Sequence, residues 1–155
     1  MPLPLSLSVQ TEAWPIAGAF TISRGAKTEA QVVVAMLSDG RHRGRGECVP
    51  YGRYNETIAS VLAEIEAICP QIEQGLTRPE LQSAMKPGAA RNAVDCALWD
   101  LEAKQKGKSV HELAGLSSPG TLTTAYTLSL AEPDAMRNQA AQYAHRAVLK
   151  IKVGT

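Results

Sequence analysis

The residues with the plainest capacity for chemistry stand near the end of the chain, in Leu149-Lys150-Ile151-Lys152-Val153-Gly154. Alternate residues of a strand share a face, so Lys150 and Lys152 project together at roughly 6–7 Å spacing while Leu149, Ile151 and Val153 take the other side. Two neighbouring ammonium groups are costly to desolvate unless an anion or a built site receives them. On an interior strand the pair needs such a receiver; on an exposed strand it is an ordinary solvated face. Spacing by itself leaves both readings open.

A βαβ unit is what would position the pair. Residues 122–130 read as a strand, 133–145 as a helix with Pro133 in its first turn, and 147–153 as a second strand, which predicts two parallel strands buried on both faces. Two such strands and one helix cannot close a core, so the segment reads as the opening of a larger α/β architecture. The chain before it is organised differently. Residues 5–14, 31–37 and 41–48 read as three strands of an antiparallel meander, the last two joined at Asp39-Gly40. Residues 15–25 form a long connection that keeps one charge, Arg24, and a loop of that kind is a candidate lid. A tyrosine-rich turn, Gly46 through Thr57, follows the meander, and Asn55 is placed to cap a helix that Pro70 stops. A shorter helix is expected over 78–85. A longer one over 90–106 carries Ala93, Val94, Ala97, Leu98 and Leu101 on one apolar stripe, and 110–113 adds a last turn before the break at Ser117-Ser118-Pro119-Gly120.

Composition removes several classes of partner. With 16 Lys+Arg against 15 Asp+Glu and no basic run, the chain has no footprint for nucleic acid. No apolar run approaches the ~20 residues that span a bilayer, and Met1-Pro2-Leu3-Pro4-Leu5 lacks a basic, then apolar, leader, so a cytoplasmic protein without membrane attachment is expected. Cys48, Cys69 and Cys96 are odd in number and widely spaced, and read as small buried apolar residues. His42, His111 and His145 show no metal-ligand spacing, and neither a nucleophile elbow nor a phosphate loop occurs. Arg91, Asp95 and Asp100 share a helix, where Arg91 and Asp95 are spaced to pair and the group reads as structural contacts between domains.

In this order and spacing, Gly46-Glu47-Cys48-Val49-Pro50-Tyr51 with Tyr54 and Glu56, Ala90-Arg91-Asn92-Ala93-Val94-Asp95-Cys96-Ala97-Leu98-Trp99-Asp100-Leu101, and Lys150-Ile151-Lys152-Val153-Gly154 resemble the N-terminal half of the enolase superfamily. Within it the chain is most similar to the muconate-lactonizing subgroup, and there to dipeptide epimerases of the L-Ala-D/L-Glu type. The resemblance implies an α+β capping domain over residues 1–120, a three-stranded antiparallel meander followed by helices. Residues 121–155 would be the first β-α-β unit of a modified TIM (β/α) barrel. It implies that Lys152 is the acid/base that moves the proton α to a carboxylate, and that Lys150 favours its neutral form and helps hold that carboxylate. Arg24, Tyr51, Tyr54 and Thr127 would contact a small-molecule carboxylate or dipeptide substrate. A Mg²⁺ stabilising an enediolate, its acidic ligands and an opposing lysine are implied on later barrel strands beyond Thr155, so the 155-residue chain alone is expected to be inactive. Glu47 would organise its turn. Three alternatives stay open: o-succinylbenzoate synthesis, muconate cycloisomerisation, and a non-catalytic capping or binding module. A homo-oligomer is also left open.

Overall fold

In the computed structural model, residues 5–154 are described; Met1–Pro4, part of the leader reading, and Thr155 lie outside the described residues. The elements run β1 (Ser6–Ile22), β2 (Gly25–Ser38), β3 (Arg43–Cys48), α1 (Ile58–Glu73), α2 (Arg78–Ala84), α3 (Ala89–Lys106), α4 (Val110–Leu113), β4 (Tyr126–Leu128), α5 (Pro133–Gln142) and β5 (Leu149–Ile151). The first three strands form one antiparallel sheet in the order β1-β2-β3, and the last two a separate parallel pair. The described residues divide into two compact units, one of residues 5–13 and 31–118, the other of residues 14–30 and 119–154.

The candidate lid at 15–25 is not a loop. The 17-residue strand β1 continues into it as far as Ile22, and the chain turns back at Ser23-Arg24 into β2. Pro15, Gly18 and Gly25 mimic loop composition, yet β1 is an edge strand, where a missing N–H is tolerated, and Gly18 (φ 78°) and Gly25 (φ 132°) adopt backbone angles that other residues rarely reach.

The first unit is built on one face of β2. Val33, Ala35 and Leu37 alternate toward the helices and are fully buried, as are Val61, Ile65, Ile68 and Ile72 at helical spacing along α1. Thr57, not Asn55, caps α1: its hydroxyl accepts from the Ser60 amide at 3.0 Å, while Asn55 sits left-handed (φ 59°) in the preceding turn. Helix α1 also runs through Pro70 to Glu73, because buried Ile72 rewards one more turn even though proline removes a hydrogen bond.

Helix α3 lies directly on β3. Gly44 pairs with Leu37 and Gly46 with Ala35, so both glycines face the core side of the sheet. There a Cβ on Gly46 would overlap the Ala93 carbonyl oxygen and stand 2.7 Å from the Ala97 amide nitrogen; one on Gly44 would overlap the Ala97 carbonyl. Buried Ala93 and Ala97 supply the matching small side of the helix. Around this contact, Asp100 accepts from the Arg45 amide (2.8 Å) and from Lys104 (2.7 Å). Asp95 takes Gln82 (2.9 Å) instead of Arg91, whose guanidinium donates to the Gln82 and Met85 carbonyls. Asp95, Asp100 and their partners all belong to the first unit and brace it internally, contrary to the expected inter-domain role. The cysteines are unpaired, and only Cys48 is buried; Cys69 is half-buried and Cys96 exposed on α3, so the expectation of three buried thiols holds for one.

Replacing Gly46 by Ala is expected to cost about 3 kcal/mol of unfolding free energy or more, because helix or strand must move. Gly120→Ala, with nothing within 4 Å of the added carbon, should change it by under about 0.5 kcal/mol. Urea unfolding of the two variants makes the comparison, and equal midpoints would show that α3 does not rest on bare β3 backbone.

Candidate active site

The second unit carries the lysine pair. Strands β4 and β5 run parallel with Tyr126 beside Leu149, Thr127 beside Lys150 and Leu128 beside Ile151. The Tyr126 amide donates to the Val148 carbonyl (2.9 Å) and the Lys152 amide to the Leu128 carbonyl (3.1 Å), which close the two ends of the ladder. Residues paired across a parallel ladder project to the same side, so Thr127 and Lys150 share a face, and two residues on, Ser129 and Lys152 share it too. Leu128 is buried on the other side. Both strands are shorter than their apolar runs because only three residues of each find a ladder partner; helix α5 likewise ends at Gln142, where Tyr143 leaves helical geometry.

The lysine face is partly covered by the hairpin tip of the same unit. Lys152 is half-buried, and its Nζ lies 5.8 Å from the centroid of the Phe20 ring; Lys150 is exposed. In the same unit an open cleft of about 510 Å³ is lined by Phe20, Tyr126, Thr127, Ser129, Gln139 and Tyr143, without either lysine. Tyr126 and Tyr143 stack at 4.3 Å, and their hydroxyl contact raises the Tyr126 pKa, leaving it a neutral donor. Arg24 occupies the two-residue turn of the hairpin, exposed. Thus Lys150, Lys152, Thr127 and Arg24 belong to one unit.

Tyr51 and Tyr54 belong to the other. Tyr51 precedes and Tyr54 ends a 3-10 turn (Gly52–Tyr54), with ring centroids 5.8 Å apart and Tyr54 70% exposed. The turn is tied down by Glu56, whose carboxylate accepts from the Tyr51 amide (3.1 Å) and from the Ala89 amide (2.7 Å) at the first residue of α3. Helix N-termini present unsatisfied N–H groups and a partial positive charge, so one carboxylate both caps α3 and fixes the tyrosine turn. The cleft beside it, about 810 Å³, is lined also by Cys48, Asn92 and the Lys86–Glu64 ion pair (2.9 Å). Burial pushes the Cys48 thiol up to about 11, so it holds no thiolate for nucleophilic work near neutrality. Glu47 pairs with Arg45 at 3.5 Å, and its carbonyl accepts from Asn92.

Sequence reasoning passed over Phe20, Ser129 and Glu56 as working residues. Ser129 was accessible to it, lying two residues beyond Thr127 on the same strand face. Phe20 was not, since it acts through a partner distant in sequence; Glu56 stands in the motif that carries the resemblance, but its bond to the Ala89 amide spans 33 residues. Among the described residues, no group of three or more His, Cys, Asp or Glu side chains converges to hold a metal ion, and no helix is long and apolar enough to cross a membrane.

Comparison with known proteins gives consistent matches. Residues 5–115 match the family described as Mandelate racemase / muconate lactonizing enzyme, N-terminal domain. The chain is 47% identical over 150 residues to an L-Ala-D/L-Glu epimerase of Escherichia coli K12, covering 96% of this chain and 47% of that protein. It superimposes with a TM-score of 0.91, at 55% identity, on an enolase family member from Agrobacterium tumefaciens with homology to dipeptide epimerases, solved with bound sodium and L-Ala-L-Glu; 97% of this chain and 46% of that one are covered. A dipeptide epimerase from Enterococcus faecalis V583, solved with Mg and L-Leu-L-Tyr, matches at a TM-score of 0.83 and 27% identity, over 100% of this chain and 46% of that one. The chain therefore spans about half the length of the curated relatives it matches.

Glu56→Ala is expected to destabilise the first unit by roughly 1–3 kcal/mol, since it uncaps α3 and releases the Tyr51 amide together. Glu56→Gln, which keeps an acceptor, should lose less. Hydrogen exchange at the Tyr51 and Ala89 amides reads the effect residue by residue; unchanged protection in Glu56→Ala would refute the tie.

Proposed function

The chain belongs to the mandelate racemase/muconate lactonizing enzyme family, within the enolase superfamily, and from that premise we propose that it forms part of a dipeptide epimerase that moves a proton at the carbon α to a carboxylate. The observation that carries the reading is the β4–β5 register, which sets Lys150 and Lys152 on one strand face with Thr127 and Ser129. Lys152 is half-buried beside the hairpin, and Lys150 two residues before it is exposed. In the proposed step the Lys152 Nζ lone pair takes the α-proton while the C–H electron pair moves into the carboxylate. Inversion follows when a proton is delivered to the same carbon from the opposite face by an acid other than Lys152, and the net change is configuration only. Lys150 holds the carboxylate as its charge grows. Arg24 at the hairpin turn is assigned to an acidic side chain at the far end of the dipeptide. Thr127 is assigned to the near end, and Tyr51 and Tyr54 to the wall of the substrate cavity.

Residues 1–120 are read as the capping domain and 121–155 as the start of the (β/α) barrel. Similarity to relatives of both the Ala-Glu and the Leu-Tyr kind supports a dipeptide, and the 47% identity favours an Ala-Glu pair. The described residues do not fit a Mg²⁺ site, because they lack the converging oxygen ligands that ion demands. A metal in the intact protein is therefore proposed to depend on residues outside this chain. A cytoplasmic setting, where thiols stay reduced, agrees with three unpaired cysteines.

Assaying the intact protein with L-Ala-L-Glu, an apolar dipeptide, a muconate and an o-succinylbenzoate precursor tests the reading. Epimerisation of the Ala-Glu dipeptide is expected to dominate, and the 155-residue chain assayed alone is expected to give none. Turnover of the muconate or the precursor with no dipeptide epimerisation would replace the proposed reaction.

A further inference from the structure

Three hydrogen bonds join the hairpin tip to the end of β4, and all three flank one residue. The Ser129 hydroxyl donates to the Ala19 carbonyl at 3.0 Å and accepts from the Thr21 amide at 3.4 Å, and the Leu130 amide donates to the Thr21 carbonyl at 3.0 Å. Phe20, held between these anchors, lays its ring 5.8 Å from the Lys152 Nζ. A hydroxyl can donate once and accept twice, so one serine serves both sides of the phenylalanine. Ser129 and Lys152 each stand one residue past the last ladder pair, Leu128 and Ile151, so continued alternation puts the anchor and the ammonium on one side. All of these residues belong to the second unit.

We infer that Ser129 and Phe20 are positioning residues for Lys152: Ser129 latches the hairpin at Ala19 and Thr21, and the latched Phe20 ring shields and orients the lysine. The negative face of the ring attracts the ammonium and takes one side of it out of water. The remaining N–H directions are then restricted toward the face shared with Thr127. Nothing in the hydrophobic pattern requires a serine at the end of β4, and a half-exposed phenylalanine at a hairpin tip gains little from burial; the shared latch accounts for both. The kinetic part of this inference rests on the proposed epimerase reading, and the positional part does not.

The test separates the two. In NMR spectra of the 155-residue chain, the Lys152 ε-methylene protons are expected upfield of the other lysines through the Phe20 ring current. The shift should vanish in Phe20→Leu, vanish in Ser129→Ala, and survive in Phe20→Tyr and Ser129→Thr, with dispersed spectra elsewhere reporting that each variant folds. In the intact protein, Phe20→Leu should lower kcat on Ala-Glu dipeptide on the order of tenfold with a smaller change in KM, and Phe20→Tyr should restore it. A Lys152 signal unshifted in the wild type, or one that keeps its shift in a folded Ser129→Ala, overturns the inference. The ring-current pattern without any epimerisation upholds the positioning and fails the functional reading instead.

Discussion

Helix α3 rests on β3 where the strand has no side chains, and the first unit depends on that contact. Gly44 and Gly46 let the helix approach to backbone distance, and Ala93 and Ala97 keep the opposing surface equally thin. From there the consequences run outward. The approach brings the start of α3 within reach of Glu56, and the Glu56 carboxylate, spanning the Ala89 and Tyr51 amides, fixes the tyrosine turn. A bulkier strand would push the helix away and leave the turn without its anchor. Apolar burial by itself would tolerate several helix positions; the glycine contact selects one.

In the second unit the corresponding constraint is register. A parallel pair slipped by one residue would send Lys150 and Lys152 to the side of Leu128, whereas the observed pairing sets them with Thr127 and Ser129. The lysine face is then partly covered by the β1–β2 hairpin, whose tip belongs to this unit although its strands begin in the other sheet. One long edge strand thus serves two purposes, a sheet partner at Leu7 and a cover at Phe20.

Much of this was legible in the sequence, and the exceptions share a cause. The lysine pair, the meander, the apolar stripe of α3 and the βαβ order follow from periods of two and of 3.6, which local pattern records. The hairpin was hidden because Pro15 and Gly18 are loop residues by composition, and their place on an edge strand is a fact of pairing. Thr57 displaced Asn55 as the cap of α1 because Ser60 completes a reciprocal pair with it, and Pro70 failed to stop that helix because Ile72 is buried beyond it. The Glu56–Ala89 and Ser129–Ala19 bonds span 33 and 110 residues, and the Phe20–Lys152 contact is longer still, separations which no window along the chain detects.

The central claim is that Lys152 moves the α-proton. Its most direct measurement is deuterium uptake at the α-carbon of L-Ala-L-Glu in D₂O by the intact protein, wild type against Lys152→Ala, beginning from each epimer separately. The wild type is predicted to exchange from both, and Lys152→Ala to lose exchange from at least one epimer while unfolding at the same denaturant concentration. Full exchange from both epimers in Lys152→Ala would assign the base elsewhere and contradict the account.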